Sequence, residues 1–162
     1  MSAREAPGAV EAAVGEAAAI LERAAARGRE LGLAYAGAVT PSEAHALHQA
    51  GLATLVDVRT LPEWEYVGRV QGSLLVEWRR FREPHPNPAF LAELAQAVER
   101  DTAILFLCRS GVRSHHAADM AARAGYTRAY NVLEGFEGDL DGERRRGKLG
   151  GWRAAGLPWE QS

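Results

Sequence analysis

Residues 102–114 read Thr102-Ala103-Ile104-Leu105-Phe106-Leu107-Cys108-Arg109-Ser110-Gly111-Val112-Arg113-Ser114. An apolar, strand-forming run stops at the chain's one cysteine, passes a glycine turn and enters Val112 to Ala124, whose spacing predicts a helix ended by Gly125. A strand that becomes a helix within so few residues points successive N–H groups inward. Those amides and the partial positive charge of the helix N-terminus form an anion cradle. A thiol at its mouth is a candidate nucleophile, because the amides and the Arg109 and Arg113 guanidinium groups favour a thiolate. The plainer alternative, a small buried hydrophobe at a strand end, accounts for neither the arginines nor the turn.

Outward from this turn, Ala53 to Val58, Ser73 to Val76 and Arg128 to Val132 are further short strand candidates. Helical spacing covers residues 9–30, and Thr40-Pro41-Ser42-Glu43 offers a capping box for a helix running to Ala50 before Gly51. Glu63 to Gly68 reads as a short helix, Asn87 as the cap of a helix through Val98, and Gly151 to Ala155 as another short helix. Strands alternating with helices predict a parallel sheet covered on both faces. Ligands of such sheets bind beyond the carboxyl ends of the strands, where Asp57 and Cys108 both fall.

The 162 residues suit one domain, and 47% hydrophobic with 25% charged residues is ordinary globular composition. A net charge of −2 gives no general attraction for nucleic acid or an anionic membrane. The first nineteen residues lack the apolar core of a signal peptide, and no run reaches the length of a membrane span, so a cytoplasmic address is expected. A single cysteine excludes an intrachain disulfide, a dithiol mechanism and a cysteine-rich metal site. No metal or other cofactor is expected.

The loop from Cys108 to Ser114 resembles the active-site loop of the rhodanese family, and Leu55-Val56-Asp57-Val58-Arg59 resembles that family's early strand motif. Glu63 through Gly68 then Gly72, and Asn131-Val132-Leu133-Glu134-Gly135-Phe136 leading to Gly151-Trp152 and Gly156-Leu157-Pro158, follow in the same order, so the resemblance covers residues 38–160. It implies an α/β three-layer domain with a central, mostly parallel five-stranded sheet, here residues 35–162; residues 1–34 lie outside the resemblance and read from their spacing as an amphipathic helical extension. It also implies sulfur transfer through a Cys108 persulfide, from a donor such as thiosulfate to cyanide or a thiol. On that reading Arg109, Ser110, Gly111, Val112 and Arg113 bind the anion through their amides, the two arginines attract an oxyanionic donor, and Asp57, Arg59 and Ser114 support the site. A sulfur relay to a protein partner and a non-catalytic interaction domain remain alternatives. Cysteine phosphatases and arsenate reductases are a further one, although the phosphatase loop is Cys-x5-Arg and this one is Cys-x4-Arg. Arg69-Val70-Gln71-Gly72 departs from the family's usual His-Ile-Pro-Gly. The loop's last position is Arg113, where many thiosulfate enzymes have Thr, and its second is Arg109, where mercaptopyruvate enzymes usually have Gly; thiosulfate or a protein or low-molecular-weight persulfide is the expected donor.

Other residues have simpler readings. Asp57 is expected to pair with an arginine or backbone amides, and Glu63 either orients the Cys108 loop or serves as a first-turn helix charge. His115 and His116 point in different directions on a helix, so at most one approaches Cys108 and surface or capping roles are expected. Asp139 to Glu143 lacks the spacing of a calcium loop, and Glu137 to Lys148 reads as a charged surface loop or, less simply, a lid. The four tryptophans read as core or half-buried anchors. The Val10, Val14 and Leu21 stripe must pack somewhere, on the domain or on a second copy.

Overall fold

The computed structural model describes residues 7–162; the first six residues of the N-terminal extension lie outside the described residues. Five strands, β1 (Gly37–Val39), β2 (Thr54–Asp57), β3 (Leu74–Leu75), β4 (Ile104–Leu107) and β5 (Ala129–Val132), form one sheet in the order β1-β5-β4-β2-β3. Every neighbouring pair is parallel, and the central strand, β4, runs in register with β2 from Thr54 opposite Ile104 to Asp57 opposite Leu107. β4 is buried along its whole length, which is why it reads as a continuous apolar run rather than an alternating one.

The two faces of β4 feed two cores. Leu105 and Leu107 point to the layer of α1 (Pro7–Leu31) and α2 (Pro41–Gln49), with Ala17, Ile20, Ala24, Ala44, Leu47 and Trp152. Ile104, Phe106 and Cys108 point to the layer of α3 (Phe90–Ala97) and α4 (Val112–Arg123), with Leu94, Ala117, Ala118 and Ala121. Period-two alternation along one strand therefore decides that the cysteine lies on the α4 side.

The capping box at α2 forms as read: Thr40 accepts from the Glu43 N–H while the Glu43 carboxylate accepts from the Thr40 N–H. Glu43 also ties α2 to α1 through Arg23 and Arg27. The second half of α1 is thus an integral wall of the core, whereas Val10 and Val14, of the same stripe, remain exposed.

Four local expectations change. β1 was not anticipated, since Gly37-Ala38-Val39 is too short and too small to give a strand signal; it supplies the fifth strand. Glu63–Val67 closes as a π-helical turn, with Gly68 N–H donating to Glu63 O at 3.2 Å. Asn87 sits one turn before α3 instead of capping it, because its Oδ1 is taken by the Ala89 N–H in a local turn. Gly151 to Ala155 makes consecutive turns and no helix. Among the described residues no helix is long and apolar enough to cross a membrane.

Candidate active site

Cys108 is the first residue past β4, and Gly111, with φ of 104°, makes the left-handed corner from which α4 starts. Glycine adopts that backbone without the steric cost other residues carry. The corner folds the Gly111 N–H back to donate to Cys108 Sγ at 3.1 Å. Sγ also lies 3.1 Å from Ser114 Oγ, in the first turn of α4. The cysteine is only 1% exposed, while its neighbours Arg109 and Val112 are exposed, so the sulfur lies at the floor of the loop and the loop side chains form its rim.

Each flank of the loop is tied down. Arg113 donates through both terminal nitrogens to the two Glu63 oxygens at 2.8 Å, a bidentate pair in which each side chain is 19% exposed. Thr60 adds its N–H and hydroxyl to Glu63 Oε2. Burial alone would raise the Glu63 carboxyl, but the Arg113 and Thr60 hydrogen bonds and the Arg113 charge outweigh it and bring it down to about 2. For Arg113, burial pulls the other way, and the Glu63 pair followed by the Cys108 and Asp57 charges holds it above its ordinary value. With its nitrogens engaged by Glu63, Arg113 fixes the loop; Arg109 is the exposed guanidinium of the sequence-predicted pair.

Asp57 does pair with an arginine, its own neighbour. Arg59 donates to it from the backbone and from Nε and Nη2, at 2.7–3.1 Å, with both side chains wholly buried. Arg59 Nη2 also donates to Gly68 O, its guanidinium lies 4.4 Å over the Phe136 ring, and Nη1 alone has no hydrogen-bond partner. Phe136 N–H in turn donates to Cys108 O, and Glu137 and Gly138 N–H groups to Arg109 O. Gly135, at φ of 66°, permits this: a Cβ there would meet Arg109 C and O at 2.5 Å.

Opposite the charged flank, Ser114 donates to Asn131 Oδ1 at 2.6 Å, and Asn131 Nδ2 donates to Gly111 O at 3.2 Å. Tyr35 Oη is 2.7 Å from His115 Nδ1. Residue reading missed Asn131 and Tyr35. Asn131 stood inside a quoted motif without a role, and Tyr35 lies eighty residues from His115 in a segment carrying no pattern. His116 faces outward beside its neighbour, Trp152 and Trp78 are buried, and Trp159 is 41% exposed. Asp141 Oδ1 accepts the Glu143 and Arg145 N–H groups and so closes a local turn. Among the described residues no cluster of His, Cys, Asp and Glu could hold a metal ion.

Comparison with known proteins agrees with this geometry. Residues 40–140 match the Rhodanese-like domain family. A solved structure of Rv0390 from M. tuberculosis is 47% identical, with a TM-score of 0.71, covering 79% of this chain and 99% of that one. An uncharacterized protein, RP600, of Rickettsia prowazekii is 37% identical, covering 67% of this chain and 83% of its own. A thiosulfate sulfurtransferase, GlpE, of Actinobacillus succinogenes is 29% identical over 75% of this chain and 88% of that protein. A parallel five-stranded sheet, a Cys-x4-Arg turn at the end of its central strand and a match over most of the chain lead to one conclusion: this protein belongs to the rhodanese-like domain family.

Proposed function

We propose that the protein is a sulfurtransferase that carries sulfane sulfur on Cys108, taking it from thiosulfate or a persulfide and passing it to cyanide or a thiol. The observation that carries this reading is the placement of Sγ under the Gly111 N–H, at the entrance of α4 and in a Cys-x4-Arg loop one residue shorter than the Cys-x5-Arg of phosphatases. A sulfur that accepts a backbone N–H at a helix entrance is placed to bear negative charge. The Cys108 thiolate attacks the outer sulfur of thiosulfate, the S–S bond breaks, and sulfite leaves with the electron pair. The terminal persulfide sulfur then carries the charge beside the loop amides, until an acceptor nucleophile attacks it and returns the Cys108 thiolate. Arg109, exposed at the rim, is the guanidinium that meets the departing oxyanion.

A protein acceptor is a second reading, favoured by residues 137–147. Their backbone is fastened to the loop at Arg109 O, and Arg146 donates to Gly138 O at 2.8 Å, which holds a charged segment at the loop's edge. Intact-mass measurement of the reduced protein before and after thiosulfate tests the main reading. A cyanide-reversible gain of about one sulfur atom, absent in Cys108→Ser, is the expected result. No gain with thiosulfate, mercaptopyruvate or a persulfide donor would overturn it.

A further inference from the structure

Sulfur transfer through Cys108 assigns no task to Asn131, yet among the described residues both polar groups in contact with the sulfur are held by its side chain. Asn131 lies in β5, where Tyr130 and Val132 point to the layer of α1 and α2 and Ala129 to the layer of α4. Alternation along the strand therefore sends Asn131 to the α4 side, the side of Cys108, where it is 5% exposed. A buried carboxamide needs partners at both ends. Its Nδ2 donates to Gly111 O at 3.2 Å, and its Oδ1 accepts from the buried Ser114 hydroxyl at 2.6 Å. The Gly111 N–H and Ser114 Oγ each lie 3.1 Å from Cys108 Sγ.

One acceptor fixes the direction of every proton in this ring. Gly111 O is a carbonyl and can only accept, so Asn131 turns its NH2 group to it and its Oδ1 to Ser114. Oδ1 can only accept as well, so the single Ser114 hydroxyl proton goes to Asn131. Ser114 Oγ keeps lone pairs for Sγ, and of the two contacts only the Gly111 N–H is a donor to the sulfur. A Cys108 thiol fits this arrangement, because its S–H donates to Oγ. A sulfur-loaded Cys108 fits it too, since Sγ is then neutral and the charge sits on the outer sulfur. A bare thiolate does not: it faces the Oγ lone pairs, and Ser114 can turn to it only by giving up its bond to a buried carbonyl oxygen.

We propose that Asn131 is a positioning residue for Cys108: by holding the Ser114 proton it sets Ser114 as an acceptor toward Sγ, and so favours the sulfur-loaded protein over the bare thiolate. The inference rests on Cys108 carrying sulfur. In the exchange concerned, the Cys108 thiolate and thiosulfate become the persulfide and sulfite: a bond forms from Sγ to the outer sulfur, the S–S bond of thiosulfate breaks, and sulfite takes the electron pair. Asn131 forms and breaks no covalent bond. It disfavours the one species in this exchange that places charge on Sγ, and its effect is retention. Discharge to an acceptor returns the charge to Sγ and meets the same resistance, so the loaded sulfur is held more firmly than the Gly111 N–H alone would hold it.

Cys108 is the chain's one cysteine, so the infrared S–H stretching band reports this thiol alone. The band should lie at the lowered frequency of a donating S–H, rise toward that of a free thiol in Ser114→Ala and in Asn131→Leu, and stay in place in His116→Ala. Intact-mass measurement then gives the ratio of persulfide to free Cys108 at a fixed ratio of thiosulfate to sulfite. Asn131→Leu should lower that ratio about fivefold, the worth of one hydrogen bond that the thiolate gains from a released Ser114. In a Ser114→Ala background the same substitution should change it by less than about twofold. An equal fall in both backgrounds would overturn the proposal, since Asn131 would then act on the Gly111 corner alone. No fall in the Ser114 background, or a band that ignores Ser114→Ala, overturns it as well, and the band in Ser114→Ala decides the matter should Asn131→Leu fail to fold. Because the band needs no sulfur donor, a protein with the expected bands that never loads sulfur would count against the sulfurtransferase reading alone.

Discussion

On the β2 side the Cys108 loop meets charge, and on the β5 side it meets neutral hydroxyls and amides. The first side is Asp57 with Arg59 and Glu63 with Arg113, two pairs whose hydrogen bonds are charge-assisted and fixed by planar groups. The second is Ser114, Asn131, Tyr35 and His115, whose hydroxyl protons rotate with little heavy-atom movement. The difference teaches a division of labour. Charge holds the backbone of the turn in one shape, while uncharged hydroxyl and amide groups meet the sulfur itself.

The sharpest way to break this contrast is Arg59→Leu. It leaves Asp57 wholly buried without its cation, and losing one partner of a buried pair costs about 3–5 kcal/mol. Urea unfolding should show a loss of that size, and an unchanged midpoint would mean that Asp57 carries little charge in the folded protein.

Next in size is Glu63→Gln, which removes a bidentate, partly buried pair and should cost about 1–3 kcal/mol. Sulfur loading should slow as well, since Arg113 no longer pins the turn. The carboxyl titrates near 2 when folded against 4.5 ordinarily, so its contribution is complete above about 4.5 and is lost as pH falls from there toward 2. Acid unfolding of Glu63→Gln should therefore be shallower than that of the parent protein across this interval. Parallel acid curves would show that the Arg113 pair adds nothing to stability.

The charged side was also the legible side. Asp57, Arg59, Glu63 and Arg113 fall in short local motifs, and a strand that ends in a carboxylate or a cysteine before a glycine turn announces where a parallel sheet binds its ligands. What sequence reading left open was pairing. Glu63 meets Arg113 fifty residues away, and either role considered for Glu63 fitted the pattern. The neutral side was nearly silent because Asn, Ser and Tyr have many bland uses, and only the adjacency of β1, β5 and α4 brings Tyr35 to His115. β1 escaped for a related reason: three small residues acquire strand character only from the neighbour β5 supplies.

The smallest expected effect lies at the joint between the two sides, in Ser114→Ala. The substitution removes the hydroxyl between Cys108 Sγ and Asn131 Oδ1 and leaves the buried Oδ1 without its Ser114 donor, so the loss of stability should be about 1 kcal/mol by thermal or urea unfolding. Asn131→Ala should cost more, because it also releases Gly111 O and with it the corner that aims the Gly111 N–H at the sulfur. A double-mutant cycle pairing Ser114→Ala with Glu63→Gln decides whether the sides act separately. Their partners are different, so the two losses should add within about 0.5 kcal/mol. A larger coupling would mean that the charged pair and the hydroxyl chain hold one shared conformation of the turn, and the contrast between a stiff flank and an adaptable one would fail.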